Sequence, residues 1–343
     1  MKILRILLFP FAILYGLITS IRNFLFDQGI LKSTSFSIPV IAVGNLSVGG
    51  TGKTPQIEYL IRLLSENFQV ATLSRGYKRK SEGFVLANTN SNAEILGDEP
   101  FQYYQKFPQI QVAVDANRTN GIQKLLQQQN PPEIILLDDA FQYRKVKADL
   151  YLLLTAYNDL YCDDCMLPTG NLRESRSGAQ RAKIVIVTKC PETLSTLEQK
   201  NIEKRLKLNS DQKLFFTSIN YDKEVFAENK SIPVAEIEKT NKILLAGIAK
   251  PQPFFHFLKS ENDQILTFPD HHHFSESEIA EIKSKAKQKI IITTEKDYVR
   301  IKDEFSPEQL FYLPIQTAFL ADEASFAQLI KDFVDDFSQH NSR

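Results

Sequence analysis

The stretch Gly44-Asn-Leu-Ser-Val-Gly-Gly-Thr-Gly-Lys-Thr-Pro55 decides how this chain is read. It follows an apolar run over residues 38–43. It precedes Ile57, Leu60, Ile61 and Leu64, which fall at i, i+3, i+4 and i+7 on one helical face. A strand, a glycine-rich turn and a helix, in that order, are the setting of a phosphate-binding loop. Glycines let backbone N–H groups turn inward on phosphate oxygens. A lysine reaches the β- and γ-phosphates, and a Ser or Thr hydroxyl serves Mg2+. Gly52-Lys53-Thr54 closes that pattern, Gly49 and Gly50 give its flexible middle, and Pro55 suits the first turn of the helix. Ser47 stands where the strict pattern has glycine. The expected nucleotide segment is therefore Ser47, Val48, Gly49, Gly50, Thr51, Gly52, Lys53 and Thr54.

Outward from the loop, short apolar runs at 70–73, 134–137, 150–154 and 184–187 read as buried strands between helical patterns. This alternation predicts a mostly parallel sheet covered by helices. The run at 134–137 ends in Asp138-Asp139, the acidic strand end expected to hold the Mg2+ shell. Thr188-Lys-Cys-Pro191 begins like a guanine reader but has proline where the carboxylate belongs, which favours ATP over GTP. A polar, lysine-rich stretch follows, with one strand-like run at 214–219. A second α/β pattern then includes strands at 243–245 and 290–293 and a capping box, Ser275-x-x-Glu278. The fold class expected is α/β: a P-loop NTPase-like domain over 29–220 and a smaller α/β domain over 221–343, after an N-terminal apolar membrane-associated helix over 1–28. A length of 343 residues accommodates two domains.

Residues 6–21 carry no charge, with Lys2, Arg5 and Arg22 around them. The run is short for a bilayer span and Pro10 interrupts it. A helix lying in the inner face of a membrane is the favoured reading, against a signal peptide or a buried core helix. Formal net charge is zero, so global charge gives no argument for nucleic-acid binding. Three cysteines, Cys162, Cys165 and Cys190, do not make a disulfide framework, and no second pair completes a zinc site. His271-His272-His273 cannot all point one way on an extended chain, which argues against a metal site there. Nothing in the sequence points to a protein partner.

Several further stretches carry a family resemblance. They are Ser74-Arg-Gly-Tyr77, Gly97-Asp-Glu-Pro100, Asp138-Asp-Ala-Phe-Gln142, Leu167-Pro168 with Leu172-Arg-Glu174, Phe268-Pro-Asp-His271 and Thr294-Glu-Lys-Asp297. With the phosphate loop and the apolar N-terminus, this ordered set resembles the tetraacyldisaccharide 4'-kinases, the lipid A 4'-kinases, out to about residue 300. The resemblance implies ATP- and Mg2+-dependent phosphorylation of the 4'-hydroxyl of a lipid A disaccharide 1-phosphate, at the cytoplasmic face of the inner membrane. It implies Asp98 as the proton acceptor, with His271 orienting or assisting it, and Lys53 stabilising the transferring phosphoryl group. Thr54, Glu99, Asp138 and Asp139 would serve Mg2+. Arg75, Arg118 and Arg173 would contact phosphate on the nucleotide or the lipid. Two positions depart from the family pattern: Ala140 stands in place of Gly, and Tyr143 in place of His. A P-loop ATPase or GTPase acting as a switch or chaperone at the membrane is the alternative.

Overall fold

The computed structural model describes Arg5, residues 7–228 and residues 230–341. Lys2 and Ile6 of the apolar N-terminal segment lie outside the described residues. Eight strands follow one another before the chain leaves its larger sheet. They are β1 (Val40–Asn45), β2 (Val70–Ser74), β3 (Val85–Leu86), β4 (Gln111–Val114), β5 (Ile134–Asp138), β6 (Leu150–Ala156), β7 (Ile184–Thr188) and β8 (Lys213–Tyr221). Their order is β8-β7-β6-β1-β5-β2-β4-β3, parallel except for β3 at the edge. Strand β1 thus runs between β5 and β6, so the loop after β1 and the acids after β5 emerge side by side. In open α/β sheets, ligands bind at such carboxyl ends.

The helix Lys53–Leu64 covers this sheet because Ile57, Leu60, Ile61 and Leu64 lose all exposure against it. Each such side chain contributes roughly 1.5–3 kcal/mol on full burial. Phe326, Ile330 and Val334 of the C-terminal helix Glu323–Asn341 complete the same core.

The second sheet contains β9 (Glu224–Phe226), β10 (Ser231–Pro233), β11 (Ile243–Ala246), β12 (Gln264–Thr267), β13 (Ile291–Thr294) and β14 (Leu310–Leu313), in the order β10-β9-β14-β13-β11-β12. The predicted capping box opens the helix Glu276–Ala286. Beyond β14 the chain departs from the expected 221–343 unit. Strand β15 (Ile315–Phe319) pairs antiparallel with β8, and the C-terminal helix joins the larger core. Phe319 and Phe326 meet there with tilted rings and centroids 4.7 Å apart, an apolar contact that no local sequence pattern announces.

The N-terminal helix Phe9–Asp27 is no core helix. Of its side chains only Ala12 is buried, and Phe9, Phe11, Ile13, Leu14, Leu17, Ile18, Ile21 and Phe24 are exposed. By length and composition it could cross a membrane, a test that core helices and signal sequences also pass. One face is tied to the body by polar bonds. Tyr15 donates to the Arg173 carbonyl at 3.0 Å, Arg22 to the Gln142 carbonyl at 2.8 Å, and Asn23 to Glu174 Oε2 at 2.8 Å.

Candidate active site

The loop from Ser47 to Thr54 joins β1 to its helix. Gly52 sits at φ +82°, a left-handed conformation that costs any L side chain strain. Gly44 serves a different need: a Cβ there would stand 2.6 Å from Phe141 Cβ, so the strand ending in Asp138 could not approach. Lys53 Nζ donates to Asn45 Oδ1 at 3.2 Å and lies 3.6 Å from Asp139 Oδ1. The Thr188 hydroxyl donates to the Thr51 carbonyl at 2.7 Å, and Lys189 Nζ donates to the Gly50 carbonyl at 2.6 Å. The residues that resemble a guanine reader therefore brace the loop from β7. Ser47 bridges to Leu172, and the Val48 N–H donates to the Asn171 carbonyl at 2.8 Å, which leaves the Val48 side chain exposed.

The two strand-end acids differ. Asp139 adopts φ +47°, so the positive φ falls one residue before Ala140 and the family's glycine is not required here. Arg173 grips both Asp139 oxygens, at 2.8 and 3.1 Å, and also donates to Asn45. Burial alone would raise Asp139, but Lys53 and Arg173 outweigh it and hold the carboxyl at about 2. Asp138 faces inward. Burial, reinforced by the charge of Asp139, pushes it up to about 6. Its Oδ2 lies 3.4 Å from the hydroxyls of Ser74 and Tyr103, and its Oδ1 is buried without a hydrogen-bond partner. Tyr103 also bonds Thr54. A buried carboxylate oxygen with no donor, next to the loop threonine, suits a hard cation that keeps most of its shell in water and phosphate oxygens. Glu99 is engaged otherwise, by an ion pair with Lys296 that outweighs its burial and lowers its carboxyl. Among the described residues no three His, Cys, Asp or Glu side chains gather as a metal cage.

Asp98 and His271, far apart in sequence, meet. His271 takes φ +56° in the loop after β12, and its Nδ1 lies 2.9 Å from Asp98 Oδ2. His272 turns instead to Glu278 at 2.9 Å, so neighbouring histidines diverge. Arg300 Nη2 donates to the same Asp98 oxygen and Nη1 to Asp297 Oδ1 at 2.9 Å, while Asp297 Oδ2 accepts from the Gly247 N–H at 2.9 Å. Burial opposes the charge on Asp98, but His271 and Arg300 together hold its carboxyl well below the usual range. An ionised Asp98 can only accept, so in the contact with Asp98 the donor is His271 Nδ1.

Arg118 opens the helix Arg118–Leu126, buried over the Tyr143 ring at 5.1 Å, with its Nε unpartnered. Tyr143, in place of the family's histidine, donates to Asn117 at 2.9 Å and forms the platform under Arg118. Arg75 is exposed at the end of β2, close enough for its charge to act on Arg118. Sequence reasoning passed over Asn45, Tyr103, Lys189, Lys296 and Arg300. Lys296 stands in the quoted Thr294-Glu-Lys-Asp297. Arg300 lies three residues after Asp297 on one helix, a spacing that offered the only signal.

The family model described as tetraacyldisaccharide-1-P 4'-kinase matches residues 4–335. The chain belongs to this family. It is 67% identical to a tetraacyldisaccharide 4'-kinase of Flavobacterium johnsoniae, over 97% of this chain and 98% of that one. It is 45% identical to the one of Bacteroides thetaiotaomicron, over 98% and 94%. A crystal structure of LpxK from Aquifex aeolicus in complex with ATP superposes with a TM-score of 0.78 at 30% identity, covering 96% of this chain and 99% of that chain. Family membership bears out the resemblance drawn from the motifs and the α/β fold with a phosphate loop.

Proposed function

We propose that the chain is a lipid A 4'-kinase that transfers the γ-phosphoryl of ATP to the 4'-hydroxyl of tetraacyldisaccharide 1-phosphate, with His271 as proton acceptor and Asp98 behind it. The observation that carries the assignment of roles is the Asp98–His271–Arg300 arrangement. An aspartate held so far into its ionised form is a weak base, whereas it orients the imidazole and stabilises its cation. The resemblance gives these two residues the opposite order of roles. In the reaction the 4'-oxygen bonds to the γ-phosphorus as the bond to the β,γ-bridging oxygen breaks, and the hydroxyl proton passes to His271 Nε2. Lys53 and the loop N–H groups balance charge on the transferring group.

Thr54 and Asp138 Oδ1 would hold Mg2+, with Asp139 kept ionised beside them by Lys53 and Arg173. When bound, Mg2+ would neutralise charge on the phosphates. Arg75, at the end of β2, and Arg118, at a helix N-terminus, are the candidates for phosphate contacts. The exposed apolar face of the N-terminal helix would rest in the cytoplasmic face of the inner membrane, where the acceptor's acyl chains stay in lipid and its sugar meets the site. No nucleic acid has a place in this reading.

Transfer of labelled γ-phosphate to the lipid acceptor in detergent micelles tests it. Labelled lipid is expected from the wild type and not from Lys53→Ala or His271→Ala. Release of free phosphate without labelled lipid would instead identify an ATPase.

A further inference from the structure

Three helices meet at a buried charge cluster behind the site. Lys106 ends the helix Asp98–Lys106, and its Nζ lies 2.7 Å from Glu58 Oε2 and 2.7 Å from Glu295 Oε1. Glu58 belongs to the phosphate-loop helix, and Glu295 opens the helix Glu295–Ile301. The Glu58 side chain is wholly buried and Glu295 nearly so. Gln102 donates to Glu58 Oε1 at 2.8 Å, and Arg62, partly exposed, lies 3.5 Å from Oε2. Tyr312 of β14 is close enough to feel both acids. Glu295 Oε2 is buried without a hydrogen-bond partner.

The cluster has a mechanical place. Asp98 with Arg300, and Glu99 with Lys296, join the helices Asp98–Lys106 and Glu295–Ile301 at one end. Lys106 with Glu295 joins them again, which makes the two helices one piece that carries Asp98 and Arg300, with His271 hydrogen-bonded to Asp98 from the loop after β12. Lys106 with Glu58 then ties that piece to the helix that begins at Lys53. Inside the protein two carboxylates share one ammonium, since the second cation, Arg62, reaches Glu58 alone at 3.5 Å and is partly exposed to water. Such a tie is strong only while its charges balance, because an uncompensated buried charge is costly.

We propose that Lys106, Glu58 and Glu295 are positioning residues, a clasp that registers the Asp98–His271 pair against the phosphate loop and tightens when Glu295 takes a proton. The proposal rests on the kinase reading. Burial, reinforced by the charge of Glu58, pushes the Glu295 carboxyl up to about 7. The clasped state therefore binds the proton more readily than water-exposed Glu295 would, and its advantage declines as pH rises to about 7 and is gone above it. Arg62, Lys106, Glu58, Gln102 and Tyr312 are the groups that face Glu295 or its partners from the neighbouring elements.

The test compares kcat for phosphoryl transfer in the wild type and Glu295→Gln between about pH 6 and about pH 8.5, with the fold checked by circular dichroism. Glutamine keeps the shape of the neutral acid. Both proteins share every other residue of the site, so pH effects common to the two cancel in the ratio. The ratio of variant to wild type is expected to rise from about one to about threefold or more as pH increases. A ratio that stays flat or falls overturns the proposal. Lys106→Met is expected to lower kcat about tenfold with KM for ATP unchanged, since small misplacements of reacting groups are costly. Retention of kcat within about twofold would also overturn it. Absence of lipid phosphorylation by the wild type itself would sink the kinase reading instead.

Discussion

The two halves of the site are built differently. The phosphate half is local: β1, the loop and the helix from Lys53 are contiguous, and Asn45 and Lys53 touch within one turn of chain. The proton half is assembled at long range. Asp98 and His271 are 173 residues apart, and Asp98 and Arg300 are 202 apart. A local motif is held by backbone geometry and strand order, whereas the distant pair depends on how the second sheet sits against the first. Binding can therefore survive damage that abolishes transfer.

Changes in the proton half should separate the two functions most sharply. His271→Ala is expected to lower kcat by about 10²–10⁴-fold while ATP binding, followed by calorimetry, stays within about twofold. If ATP affinity collapsed as well, the halves would not be separable. Lys53→Ala should lower kcat by about 10²–10³-fold and weaken ATP binding too, because this lysine serves both ground state and transition state. Normal ATP affinity in that variant would contradict a local phosphate half.

The exposed helix extends the comparison to the acceptor. Leu14→Glu with Ile18→Glu should raise KM for the lipid about tenfold and leave KM for ATP alone. Equal lipid KM in vesicles would show that the helix contributes nothing to acceptor access. The smallest effect expected is on acid stability. Asp98 and Asp139 are both held below their ordinary values, so their contribution is complete above about pH 4 and is lost as pH falls toward 2. The unfolding free energy of Asp98→Asn from urea titration should fall less between about pH 6 and pH 3 than that of the wild type, by on the order of 1–2 kcal/mol. An identical fall in both proteins would mean that the buried pair carries no linkage.

Much of the phosphate half was legible because its signals are short-range. Glycine at a positive φ, lysine beside it and a helical apolar stripe are each decided within a few residues. The brace from Thr188 and Lys189 was not legible, since a sequence does not show that β7 ends under the loop. Arg300 and Lys296 were overlooked for the same reason. A cation on a short helix looks solvated until its acidic partners arrive from elsewhere.

Two helices of 19 residues show where local information stops. Phe9–Asp27 and Glu323–Asn341 are equally long. One leaves its apolar side chains outside and the other buries Phe326, Ile330 and Val334. That the second packs on the larger sheet, beyond a strand paired with β8, was decided only by tertiary structure. By itself the amino-acid sequence determined the α/β class, the phosphate loop, the acidic strand end and the kinase family. Tertiary structure alone decided that Asp98 meets His271 and Arg300, that Asp139 is held by Arg173 and Asp138 is left with an unpartnered oxygen, and that β15 returns to pair with β8. Charge state and pairing depend on burial and on distant partners, and neither is encoded at a single position.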